Sequence, residues 1–93
     1  MIFQLLKDNV LIEKKEFGDG SFKIGRAENC ALKLSSSKVS KQHALLLIKN
    51  NQAAIMDLGS KNGLFINGIL VKKQKIQVGD KITIDNYTLK ITY

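Results

Sequence analysis

A chain of 93 residues holds one compact domain, and 44% hydrophobic with 25% charged residues is the mix of a folded rather than a disordered protein. No apolar run approaches the ~20 residues that span a bilayer as a helix, and the start Met1-Ile2-Phe3-Gln4-Leu5-Leu6-Lys7 lacks the basic opening and small-residue cleavage site of a signal peptide. The formal charge of +7 favours anionic partners without identifying them, while a single cysteine, Cys30, excludes an internal disulfide and a thiolate metal cluster and fits a reducing, cytoplasmic setting.

Taken in chain order, the sequence reads as strands separated by turn signals every ~8–12 residues, the spacing of an all-β sandwich. Residues 1–7 and 10–17 form a strand pair turning at Asp8-Asn9, Gly18-Asp19-Gly20 makes a second turn, and residues 21–24 make a third strand. Residues 43–49 and 52–57 pair about Asn50-Asn51, whose side chains tolerate positive φ. Leu45 to Ile48 is apolar at every position, as in a strand covered on both faces. Asn67-Gly68 is a hairpin signal between residues 64–66 and 69–71. Ile76 and Val78 lead into Gly79-Asp80, and Ile82 and Ile84 alternate with polar residues before Asp85-Asn86. Tyr87, Leu89, Ile91 and Tyr93 then alternate again. The expected fold is an antiparallel β-sandwich of about ten or eleven short strands. No stretch keeps a 3.6-residue apolar period over the length of a helix.

Three long polar connections, residues 25–31, 35–42 and 59–63, remain between the strands. Binding residues concentrate on such loops, so Arg26, Ser40, Lys41, Lys61 and Asn62 are expected on one rim. Of fifteen basic residues fourteen are lysine, and the single arginine, Arg26, sits in a glycine-led turn.

In order along the chain stand Gly25-Arg26, Ser40-Lys41-Gln42-His43, Asp57-Leu58-Gly59-Ser60-Lys61-Asn62-Gly63 and Asn67-Gly68, followed by Val78-Gly79-Asp80-Lys81-Ile82. This series resembles the forkhead-associated (FHA) domains, whose pattern is Gly-Arg, Ser-x-x-His, Asn-Gly and a second Asn-Gly. The resemblance covers the whole chain by strand pattern, with its motifs between residues 25 and 68. It implies a non-enzymatic module, residues 1–93 of a larger protein, that recognises Thr-phosphorylated proteins or peptides in kinase-linked signalling or assembly. No cofactor, metal, nucleic acid or membrane contact is implied, and a bacterial source fits the lysine-rich, proline-free composition.

The chemistry of each position suits that role. A phosphate dianion offers three acceptor oxygens, and Arg26 supplies a fork where lysine gives a point charge. By resemblance Ser40 donates its hydroxyl to the phosphate, Lys41 adds charge or a backbone N–H, and Lys61 is a further phosphate contact. Asn62 would bond the peptide backbone, Lys38 and Asn67 would sample positions beyond the phosphate, and Gly25, His43 and Gly63 would support the site. Each residue also has a plainer reading. Arg26, Lys41 and Lys61 serve equally as surface cations, Ser40 as a turn hydroxyl, and Asn67-Gly68 as a positive-φ turn. The chain departs from the family pattern where Lys41 replaces a common arginine, Lys61 a hydroxyl residue, Leu64 a common threonine, and Asn86 a turn glycine.

Other functions fit less well. Ser40, His43 and Asp57 could be assembled into a hydrolase triad, but no G-x-S-x-G elbow accompanies them. The P-loop pattern is missing, and one His with one Cys is too few for a zinc centre. Nucleic-acid binding has only scattered lysines and 6% aromatic residues in its favour. A phosphate-independent scaffold or oligomerisation module on the same fold is the remaining alternative.

Overall fold

The computed structural model describes residues 1–92, and the last position of the expected final strand, Tyr93, lies outside them. Every regular element among the described residues is a strand: β1 (Ile2–Lys7), β2 (Val10–Glu16), β3 (Gly20–Gly25), β4 (Leu32–Lys33), β5 (Ala44–Lys49), β6 (Gln52–Asp57), β7 (Phe65–Ile66), β8 (Ile69–Leu70), β9 (Lys73–Ile76), β10 (Ile82–Ile84) and β11 (Tyr87–Thr92). Six strands form one sheet in the order β2-β1-β11-β10-β7-β8, and five form the other in the order β4-β3-β5-β6-β9.

Alternating apolar side chains point each sheet inward. Phe3, Leu5, Ile82, Ile84, Tyr87, Leu89 and Ile91 from one sheet meet Ile24, Leu46, Ile48, Ile55 and Ile76 from the other in a single buried core. The turns form where the sequence signals them. Asp8-Asn9, Asn50-Asn51 and Asn67-Gly68 each hold two consecutive positive-φ residues between strands that pair directly, the hairpin geometry that matches the twist of the strands. In the turn between β10 and β11 only the first residue, Asp85, has positive φ, at 54°.

Three details differ from the sequence reading. The two-residue strand β4 lies between the polar connections 25–31 and 35–42, where no strand was expected, and pairs parallel to β3, so the sandwich is not wholly antiparallel. Leu45 and Leu47 are only half-buried, because the sandwich has two layers and nothing covers the outer face of β5. The strand after the third hairpin is β9, which ends at Ile76 and leaves Val78 exposed.

Topology collects the long loops. β5 runs antiparallel to both β3 and β6, so the end of β3, the start of β5 and the end of β6 share one pole of the sandwich. The connections 26–31, 34–43 and 58–64 all open there.

Candidate functional site

The site begins with a close approach of backbones. Gly25, the last residue of β3, is buried, and a Cβ there would overlap the Lys41 carbonyl and lie 2.9 Å from the Ser40 carbonyl oxygen. Only glycine lets the first two loops touch. The next residues then bond across the gap: Arg26 N–H donates to Ser40 O at 3.1 Å, and Ala27 N–H to Lys41 O at 3.1 Å.

Arg26 is exposed on this rim. Its Nε donates to Val39 O at 3.0 Å, which orients the guanidinium and leaves both terminal nitrogens unpaired among the described residues. Val39 itself is 1% exposed. A buried side chain thus pins the carbonyl that pins the arginine.

Ser40 joins the third loop. Its Oγ accepts the Lys61 N–H at 3.1 Å, so its own hydroxyl proton remains available to a further acceptor. The backbone N–H of Lys41 has no protein partner among the described residues, and the Lys41 and Lys61 side chains are exposed. Asn62 donates from Nδ2 to Lys38 O at 2.7 Å and keeps its Oδ1 unpaired. The three loops thus carry the Arg26 guanidinium, the Ser40 hydroxyl, the Lys41 N–H and the exposed Lys41 and Lys61 side chains, and no carboxylate bonds any of them among the described residues. Asp57, at the end of β6, spends its carboxylate on the N–H groups of Gly59 (3.0 Å) and Ser60 (3.1 Å) and on the Ser60 hydroxyl.

His43 lies beneath, wholly buried. Its Nδ1 accepts the Ser40 N–H at 3.0 Å, which leaves Nε2 as the protonated nitrogen donating to Gly63 O at 2.7 Å. Its backbone N–H donates to Ile24 O and its carbonyl accepts from Leu58 N–H, both at 2.9 Å. One imidazole and its peptide units thus bind the β3 strand, the Ser40 loop and the loop after β6. Gly63 has φ 93°, and a Cβ there would meet Leu70 Cδ1 at 2.7 Å.

Beside Asn62 a groove of ≈ 410 Å³ is lined by Lys38, Asn62, Phe65, Gly68, Thr83 and Asp85. Lys38, expected to sample positions beyond the phosphate, lines it. Asn67, given the same expectation, does not: its Nδ2 donates to Asp80 Oδ1 at 3.0 Å and its Oδ1 accepts Lys81 N–H at 2.9 Å. Its amide fastens one turn to another. Neighbouring Gly68 lines the groove instead.

Sequence reasoning missed the supports. Ser60 Oγ accepts Gly63 N–H at 3.0 Å and so curls the third loop together with Asp57. The Tyr87 hydroxyl accepts Ser35 N–H at 3.0 Å, and Ser36 Oγ donates to Asp85 Oδ2 at 2.8 Å. The Asp-x-x-Ser spacing of Asp57 and Ser60 is a local hydrogen-bonding signal for such a turn. The contacts to Tyr87 and Asp85 span about half the chain and have no local signal.

The FHA domain family model matches residues 22–85. The ABC transporter ATP-binding/permease protein Rv1747 of Mycobacterium tuberculosis is 34% identical over 74 residues, 80% of this chain and 9% of that protein. Glycogen accumulation regulator GarA of the same organism is 31% identical over 65 residues, 70% of this chain and 40% of that protein. The chain spans less than half the length of either relative. Among solved structures, the FhaA FHA domain complexed with the intracellular domain of Rv3910 superposes with a TM-score of 0.86 at 25% identity, covering 96% of each chain.

Proposed function

The chain belongs to the FHA domain family, and from that premise we propose that it is a phosphopeptide-recognition module rather than an enzyme. The observation that carries the reading is the cluster of unspent donors on one rim: the Arg26 terminal nitrogens, the Ser40 hydroxyl, the Lys41 N–H and the Lys41 and Lys61 ammonium groups. A dianion with three acceptor oxygens is what such a cluster suits. In this reading the phosphate docks between Arg26, Ser40 and Lys61, and Asn62 Oδ1 takes a peptide N–H beside it. Residues that follow the phosphoresidue enter the groove of Lys38, Phe65 and Thr83. Preference for phosphothreonine over phosphoserine rests on family membership, not on a residue of this site.

The partner is then a Thr-phosphorylated protein produced by a kinase. The test is titration of phosphothreonine, phosphoserine and unphosphorylated peptides against the wild-type domain and Arg26→Ala. Phosphate-dependent binding that weakens by about 100-fold in Arg26→Ala, about 2.7 kcal/mol, is expected from losing two charge-assisted bonds. A folded domain that ignores every phosphopeptide would leave a phosphate-independent scaffold.

A further inference from the structure

The outer face of the five-stranded sheet has a pattern that phosphate binding leaves unexplained. Across strands, Lys23 pairs with Leu45, Leu45 with Met56 and Met56 with Lys73. The neighbouring row runs Ser21, Leu47, Ala54, Lys75. These outward positions alternate with the buried Ile24, Leu46, Ile55 and Ile76. Leu45, Leu47, Ala54 and Met56 are half-buried, with lysines along both sides. No Asp or Glu occupies an outward position of β3, β5, β6 or β9 among the described residues, and the one carboxylate beside the face is Asp19, which precedes β3. None of Lys23, Lys73 and Lys75 forms an ion pair among the described residues.

The dimensions define an occupant. Lys23 and Lys73 are separated by three strand spacings, about 14 Å. The floor between them is two strands wide and apolar, and the small Ser21 and Ala54 open a hollow of ≈ 560 Å³ around Leu47, lined by two lysines, Lys49 and Lys75, and by one carboxylate, Asp19. An α-helix is about 10 Å across, and one of about 14 residues is about 21 Å long, close to the about 20 Å of a six-residue strand. Charge and shape agree on an amphipathic helix with an apolar stripe and acidic flanks.

We infer that this face is a second docking surface, which takes an acidic amphipathic helix of a partner protein without needing a phosphate. Carboxylates on the helix flanks meet Lys23 on one side and Lys73 and Lys75 on the other, while its apolar stripe covers Leu45, Leu47 and Met56. Protein rather than membrane is favoured because the face carries no aromatic residue and its apolar side chains lie between the lysine stems, where they cannot reach into acyl chains. The surface is independent of the phosphate site, so a partner carrying both elements would gain by avidity.

The test uses a designed helical peptide with a leucine stripe flanked by glutamates, a second with the leucines replaced by serine, and vesicles of phosphatidylserine and phosphatidylcholine. Binding to the ¹⁵N-labelled domain is followed by amide shifts. The expected result is saturable binding of the leucine peptide, with shifts on Leu45, Leu47, Ala54, Met56, Lys73 and Lys75. Binding should be about tenfold weaker in Lys73→Glu/Lys75→Glu, and unchanged in Arg26→Ala. Both variants change exposed side chains, and their folding is checked by the dispersion of the same spectra. Absence of binding, equal binding of the serine peptide, shifts confined to the Arg26–Ser40 rim, or association with the vesicles but not the peptide would each overturn the proposal.

Discussion

Ser40 serves two loops with one hydroxyl. Its oxygen holds the Lys61 N–H while its proton stays available, so Ser40→Ala removes the hydroxyl that the proposed function assigns to the phosphate and loosens the third loop at once. The expected cost is about tenfold in phosphopeptide affinity, measured by calorimetry, with little change in melting temperature because the site is open to water. His43 is the opposite case. Removing its ring strands the Ser40 N–H and the Gly63 carbonyl beneath the site. His43→Ala should therefore cost about 3 kcal/mol and lower the melting temperature by about 10–20 °C, read by thermal unfolding, with binding lost as well.

At the scale of elements, the β3 terminus makes the sharpest demand. Gly25→Ala would drive a methyl into the Ser40 and Lys41 carbonyls, which no rotamer can relieve because both neighbours are backbone. A loss of about 3 kcal/mol by chemical denaturation is expected, with Arg26 displaced even in the folded fraction. Element by element, the hairpins were legible because Asp8-Asn9, Asn50-Asn51 and Asn67-Gly68 carry the positive φ that their turns need. Strand β4 was not legible. Two residues cannot show a period, and Leu32 and Lys33 are extended only because β3 pairs with them. The same limit applies to the site. The order of Arg26, Ser40, His43 and Asn62 along the chain revealed the candidate residues. That Asn67 would spend both ends of its amide on Asp80 and Lys81 depends on two turns meeting in space.

For the whole molecule, the sign of the charge matters more than its size. With a formal net charge of +7, the domain attracts anions from any direction, and discrimination falls to the rim where the donors converge. A phosphate ester has its second pKa near ~6, so at pH 5 only about a tenth remains dianionic. Affinity for a phosphothreonine peptide should fall by about tenfold between pH 7.5 and pH 5, followed by fluorescence anisotropy. Equal affinity at both pH values would argue against dianion recognition.

The imidazole that joins two loops also has a kinetic consequence. Because His43 already holds the Ser40 and Gly63 backbones in the free protein, little is left to order when a ligand arrives. Encounter should be quick and nearly the same for every phosphorylated sequence, drawn in by the lysine field. What separates a lasting partner from a passing one is then how slowly it leaves.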